Sequence, residues 1–473
     1  MLKKLFSHSF LYAIGPQVPR LVNVFILPII TAYLTPLDYG VYGTLLAYIG
    51  LLAGVKSLGF EVLLVNSFFK KTQWESYWKR YLGGLYLYNF LFSFIYVLIL
   101  YFFIPKEAHE NLWLLIFLIV TPAILFDTTK MVGSRYFQLK QKPRYIAMVT
   151  SVVGIVSIFI NLYCIVVLKL GYLGWFISIA VGSMLTFCFY GYPLFIKGNI
   201  VPKITWNKNF WKKSLKIGLP TIPHKYSSYM LNSSDRLVMD QVKTPIEQIG
   251  IYNLAYIFGS YLDMVGTAIR MAIGPYFGKM YAKKTVEADK EVRYFIFFLQ
   301  VSFIVGCTLL GLWVKQIFNV LINNQELESA YAIAIIIIMG YAYRPIYWAA
   351  MSRVFFNEKT NKLWRVSFIA GVLNVVLNFI FIPLYGIYAA AITTLISLIY
   401  LGISPYYIKE FKAMNTQKIY PVWWMVVVLV LTVILYFIRD SSIVYKGIIS
   451  ITLIVGYLIY FFKNKNKLNA IQI

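Results

Sequence analysis

Apolar runs of about twenty residues recur along the whole chain, and no other feature restricts its fold so strongly. Each is long enough to cross a hydrocarbon layer of about 30 Å as a helix, the form in which a spanning segment satisfies its own backbone hydrogen bonds. We count about 14 such spans, centred near residues 21, 50, 92, 122, 156, 184, 227, 260, 302, 341, 374, 397, 429 and 452. With 60% of residues hydrophobic and 13% charged, the chain holds more apolar side chain than a soluble core could hide. A transmembrane β-barrel would show short alternating segments instead. The expected class is therefore all-α integral membrane. The start, Met1 to Phe10, is basic like a signal peptide but has no small-x-small cleavage site, so it reads as the cytoplasmic end of the first helix.

Charge sets the topology. There are 44 Lys and Arg against 18 Asp and Glu, a balance that in a soluble protein would suggest a nucleic-acid partner. Here 31 of the 44 fall in alternate loops and six in the opposite ones. That asymmetry puts the rich side and both termini in the cytoplasm, with the chain in the cytoplasmic (inner) membrane, and it needs no nucleic acid. The remaining seven, Arg20, Lys56, Lys130, Lys225, Arg236, Arg270 and Arg344, lie within spans. A charge at that depth costs roughly 2.5–3.5 kcal/mol, so such residues face a protein interior or a watery path. The in-span acids are fewer: Glu61, Asp127, Asp235, Asp240 and Asp263. Asp127, one turn from Lys130, reads as its neutralising partner, and Asp235 beside Arg236 as a helix-end pair.

The chain also repeats itself. Ile14-Gly-Pro16 and the segment Leu34–Tyr48 answer to Ile217-Gly-Leu-Pro220 and Ile246–Tyr256, and Gly154 and Asn161 answer to Gly371 and Asn378. Six spans per unit give two lobes related by an axis along the membrane normal. The expected organisation is a six-helix lobe over residues 1–196, a cytoplasmic linker over 197–212, a second six-helix lobe over 213–412, and two additional helices over 413–473. Prolines gather where the repeats begin. Pro16, Pro19, Pro220 and Pro223 are expected to bend equivalent helices and act as hinges.

Gly218-Leu-Pro220, Ser234-Asp-Arg236, Ile249–Tyr256 and Gly274-Pro275 resemble the second-lobe signature of the Wzx-type polysaccharide-repeat flippases of the MOP exporter superfamily. Asn374-Val-Val-Leu-Asn378, then Ile382–Gly386 and Ala389–Thr393, are similar to that family's late-helix motif. Thr35–Gly40 with Leu58-Gly-Phe60 is similar to its amino-terminal signature. The resemblance covers roughly residues 10 to 410. It implies two pseudo-symmetric lobes around a central cavity, moving undecaprenyl-pyrophosphate-linked oligosaccharide outward, with a polysaccharide polymerase and chain-length proteins as further partners.

The residues themselves point the same way. A pyrophosphate crossing a low-dielectric slab needs compensating cations, and arginine offers a fork that matches phosphate oxygens. Arg20, Lys56, Lys225, Arg236, Arg270 and Arg344 are the expected cationic lining, with Lys130, Asn23 and Asp235 as further candidates. Other classes fit less well. A membrane enzyme of polysaccharide assembly would need a catalytic set, yet His8, His109 and His224 have no spaced partner. A cation-coupled multidrug exporter would carry a negative cavity. A lipid II flippase is the nearest rival, because its cargo shares the lipid pyrophosphate. Cys164, Cys188 and Cys307 lie in apolar runs without metal-like spacing, so no metal or cofactor is expected, beyond a coupling H+ or Na+.

Overall fold

The computed structural model describes residues 17–357, 363–414 and 417–469, and every regular element among them is helical. Ten continuous helical runs among the described residues are long and apolar enough to cross a membrane, and Pro19–Thr31 is a shorter apolar helix. The difference from the count of spans has identifiable causes. The spans centred near 374 and 397 share one run, Leu363–Ile403, which bends at Gly386 (φ 63°, ψ −149°), a conformation that only glycine adopts readily. The spans near 227 and 260 are polar or broken: Ile222–Asn232 and Ser234–Gln241 are separate short helices, and Asp263 and Arg270 interrupt Ile246–Lys283.

The helix Trp74–Phe103 displays the pattern of a membrane span. Phe90, Phe94, Leu98 and Phe102 form an exposed apolar stripe, while Asn89, Ser93, Tyr96 and Leu100 are buried. Both sets recur at three- or four-residue spacing, one helical face each. Polar groups lie inside and apolar groups outside, as lipid demands.

The chain divides into two compact units, Met1–Tyr229 and Met230–Ile473. In the first, Thr35 caps the helix Pro36–Lys56 in a reciprocal capping box with Asp38, and Pro36 occupies the first turn, where its missing N–H costs nothing. Asp38 also accepts from the Tyr172 backbone N–H at 2.8 Å. The amino-terminal motif is thus a local cap that additionally staples a turn 134 residues away. Helix Pro36–Lys56 ends in a sharp turn at Leu58 and Gly59, both with positive φ, and the chain resumes as Phe60–Lys70. A Cβ on Gly59 would lie 2.1 Å from the Gly218 carbonyl oxygen. No other residue fits there.

In the second unit the run Gln325–Val354 is the most deeply packed, with 83% of its apolar window buried. Of the last two helices, Pro421–Ile438 meets this run where the Tyr343 hydroxyl donates to the Pro421 carbonyl at 2.5 Å, and Ile443–Asn469 is tied to the helix Val286–Leu321. Trp313 Nε1 donates to Ser450 Oγ at 2.8 Å, and the fully buried Lys446 donates to Gln316 Oε1 at 3.0 Å.

The hinge prolines have different settings. Pro16 lies outside the described residues. Pro19 sits inside the continuous helix Gln17–Thr31, its ring against Gly154, where a Cβ would meet Pro19 Cγ at 2.1 Å. Pro220 lies in a single 3-10 turn, Leu219–Thr221, and Pro223 follows at the start of Ile222–Asn232, so these two mark a change of helix.

Candidate functional site

Three helix breaks in the first unit present charged side chains to one cavity of about 410 Å³. The turn at Leu58-Gly59 leaves Lys56, Ser57 and Glu61 around a bend. Pro122 disrupts the helix Leu112–Leu125, and the chain restarts at Asp127. The 3-10 turn at Pro220 precedes Lys225. Leaving helical geometry at each break aims these residues inward instead of distributing them around a continuous helix.

The ionic geometry is close. Lys56 Nζ lies 2.8 Å from Asp127 Oδ2, and Lys225 Nζ lies 2.8 Å from Glu61 Oε1 and 3.0 Å from Ser57 Oγ. Arg135 reaches the other Glu61 oxygen at 2.6 Å. Three cations therefore meet two carboxylates, and the cluster keeps one net positive charge. Asn89 donates to Thr128 Oγ1 at 3.0 Å on the same wall. Opposite them, Gly50 and Gly54 form a groove that receives two rings: a Cβ on Gly54 would lie 2.8 Å from the Tyr226 ring, and one on Gly50 3.1 Å from that of Tyr229. The tyrosine hydroxyls donate to the carbonyls of Leu51 (2.5 Å) and Ala47 (3.0 Å).

Of the residues expected from sequence, the structure brings Lys56 and Lys225 to this cavity. Arg20 and Asn23 lie on an exposed stretch of their helix, and Lys130 is exposed outside the cavity lining. The pairing of Asp127 with Lys130 is corrected: the carboxylate turns to Lys56, 71 residues away. Ser57, Arg135, Tyr226 and Tyr229 were missed. The glycine pair Gly50/Gly54, one helical turn apart, was the signal available for the two tyrosines.

The second unit holds a distinct polar cluster. Asp235 is fully buried and accepts from Tyr252 (2.6 Å), Asn378 (2.8 Å) and Thr394 (3.2 Å). The Asn374 amide, turned nitrogen-first, adds a bond of 2.9 Å. Thr393 donates to Asn378. The Ser234-Asp-Arg and late-helix motifs thus converge in space, brought together by the break at Ser233 and the bend at Gly386. Asp235 and Arg236 remain electrostatic neighbours, but among the described residues they make no direct ion pair within 4 Å, because successive helical residues point about 100° apart. Arg236 instead donates to Asn253 Oδ1 (2.9 Å) and the Asn232 carbonyl (3.0 Å), with its guanidinium 4.1 Å from the Tyr256 ring centroid. Arg344 lies 3.3 Å from Asp263 and 5.1 Å from the Tyr341 ring. Arg270 is exposed.

The family described as "Polysaccharide biosynthesis protein" matches the chain over residues 6–281. Among solved structures, the lipid II flippase MurJ in an inward closed conformation is similar at a TM-score of 0.66 and 15% identity, covering 93% of this chain and 99% of that one. An inward-facing multidrug resistance MATE family transporter of the MOP superfamily is similar at 0.63 and 12% identity, covering 92% and 96%. The Vibrio cholerae MATE transporter VcmN in its bent form is similar at 0.53 and 14% identity, covering 87% and 97%. These likenesses establish the fold. No curated protein matches the chain.

Proposed function

The chain belongs to the polysaccharide biosynthesis protein family, and from that premise we propose that it is a flippase. Its cargo is an undecaprenyl-pyrophosphate-linked oligosaccharide repeat unit of O-antigen, capsule or a related polysaccharide. It carries this cargo across the cytoplasmic membrane by alternating access, through about 14 helices with both termini cytoplasmic.

The observation that supports the reading is the cavity of the first unit, where Lys56 and Lys225 lie beside Glu61 and Asp127 on a wall that also carries Ser57, Asn89 and Thr128. Without cargo, Glu61 and Asp127 hold the ammonium groups, which avoids uncompensated charge in a low dielectric. A pyrophosphate competes for the same donors, and Arg135, which lies outside the lining, still holds Glu61 when Lys225 turns to the anion. Arg20, Arg270 and Arg344 serve the anion elsewhere on its path, and Pro220 and Pro223 provide the bend for lobe motion. A coupling H+ or Na+ is assigned to Asp235, a fully buried carboxylate that accepts from the Tyr252 and Thr394 hydroxyls and the Asn378 amide. Its full burial keeps it from contact with a bulky sugar.

Lipid II remains the second reading, since the pyrophosphate that suits this cavity is common to both cargoes. A drug exporter for cations would find both carboxylates of this cavity already paired with lysines. The test is complementation of a strain lacking its own repeat-unit flippase: the wild-type chain restores surface polysaccharide, and Lys56→Ala and Lys225→Ala do not, at equal membrane level. Rescue of lipid II export alone would favour the second reading, and rescue of neither would overturn the flippase assignment.

A further inference from the structure

A strongly basic surface of the first unit lies outside this cavity's lining, on the helix Lys208–Gly218 and the linker ahead of it. At 100° per residue, Lys208, Lys212, Lys213 and Lys216 fall within one arc, and all four are exposed. The opposite face carries Phe210, Trp211 and Leu215, packed on the core built around Trp78 and Leu82. The residues from 197 to 218 include no acid, and among the described residues none of the four lysines meets a carboxylate within 4 Å.

This surface is held firmly. The Lys203 backbone N–H donates to the Lys79 carbonyl at 2.8 Å. Trp211 Nε1 donates to the Thr205 carbonyl at 2.7 Å. Gly83 and Gly84 let the linker and helix approach: a Cβ would lie 2.5 Å from the Lys203 backbone at the first and 2.0 Å from the Trp211 ring at the second. Beside the lysines, Trp206 is 82% exposed. With Ile204 and Trp211 it lines an apolar groove of about 250 Å³ whose other wall includes Leu87 and Leu91. Leu91 adjoins the exposed apolar stripe of Trp74–Phe103, so the groove opens on the lipid-facing side.

We propose that this surface is a docking site for anionic phospholipid, with the headgroup phosphate on the lysine face and an acyl chain along the Trp206 groove. A fixed basic face beside an exposed indole and an apolar groove has the chemistry of an interfacial anchor. Unpaired lysines complement the negative charge of a leaflet rich in anionic lipid. The cytoplasmic topology enters only in the choice of leaflet. Binding is read in detergent, where sidedness plays no part, so the site and the flippase reading can fail separately.

The experiment uses the purified full-length protein in neutral detergent and measures apparent Tm with added phosphatidylglycerol, phosphatidylcholine or inorganic phosphate, together with lipid retained by native mass spectrometry. The wild-type protein gains stability with phosphatidylglycerol and not with the other two. Replacing Lys208, Lys212, Lys213 and Lys216 by Gln leaves the lipid-free Tm unchanged but cuts retained phosphatidylglycerol by about threefold or more, whereas four Arg replacements preserve it. The milder Lys212→Gln/Lys216→Gln pair loses part of the gain, and Trp206→Ser weakens retention with the charges intact. Equal phosphatidylglycerol stabilisation of the wild-type and four-Gln proteins would overturn the proposal and leave an acidic protein as the partner of this face. Equal stabilisation by inorganic phosphate would overturn it in favour of a free anion.

Discussion

Lys225 Nζ sits 2.8 Å from Glu61 Oε1 while Arg135 holds the second oxygen of the same carboxylate at 2.6 Å. Glu61 is thus shared between the helices Ile222–Asn232 and Asp127–Leu139, and the half-buried pair ties charge placement to helix placement. Removing the carboxylate leaves two cations facing each other. Glu61→Gln is expected to lower apparent Tm and surface polysaccharide together. A double-mutant cycle with Lys225→Met should give a coupling of about 1 kcal/mol, measured by unfolding in detergent. A coupling near zero would make the contact incidental.

Gly59 is the position least tolerant of a side chain in the first unit. Its φ of +69° and the 2.1 Å approach of the Gly218 carbonyl act together, so Gly59→Ala is expected to cost about 2 kcal/mol or more and to depress expression. Gly278, helical with nothing within 4 Å of a built Cβ, is the control: Gly278→Ala should be neutral or stabilising by up to about 1 kcal/mol. Thermal stability of the two purified variants checks both. A similar Tm for the two would refute the account of the turn.

Asp38 serves two backbone segments, accepting from Thr35 N–H and Tyr172 N–H at 2.8 Å each. Asp38→Ala is expected to destabilise by about 1–2 kcal/mol through the lost cap, with further loss from the stranded Tyr172 N–H. Asp38→Asn should recover part of this. If Asn recovers none, the carboxylate matters through its charge and not as an acceptor.

The helical membrane class was legible in the apolar runs, and the family motifs pointed to segments that do meet in space, as Ser234-Asp-Arg and Asn374–Asn378 do. The partners of the charges were not legible. Lys56 finds Asp127 across 71 residues, and Asp127 turns to it although Lys130 lies three residues away on the same helix, because packing brings Lys56 into the cavity while Lys130 is exposed outside its lining. A periodicity read along sequence does not contain contacts made between helices. Asp235 and Arg236 likewise take different hydrogen-bond partners and meet through Tyr252, whose hydroxyl donates to Asp235 and whose ring lies 5.7 Å from the Arg236 guanidinium.

Asp235 provides a test of coupling. Asp235→Asn keeps the size and the acceptor oxygen but removes the charge, so transport in vesicles should lose its dependence on a Na+ or H+ gradient while Tyr252 and Asn378 still hold the side chain. Gradient dependence equal to the wild type would move coupling to another group.

The arginines outside the first-unit cavity carry their own prediction. Singly replacing Arg20, Arg270 or Arg344 by Ala should abolish surface polysaccharide at normal membrane level, and Lys should restore only part because it lacks the bidentate fork. Normal export by all three Ala variants would reduce these residues to structural partners, such as Arg344 is to Asp263 at 3.3 Å.

The central claim, that Lys56 and Lys225 hold the pyrophosphate of the cargo, is tested most directly by binding of undecaprenyl pyrophosphate to the purified protein. Lys56→Gln and Lys225→Gln should each weaken binding about tenfold or more, the loss of one charge-assisted contact, while undecaprenol itself binds all three proteins equally. Undiminished pyrophosphate affinity in both variants would contradict the claim and leave the two lysines as counterions of Asp127 and Glu61.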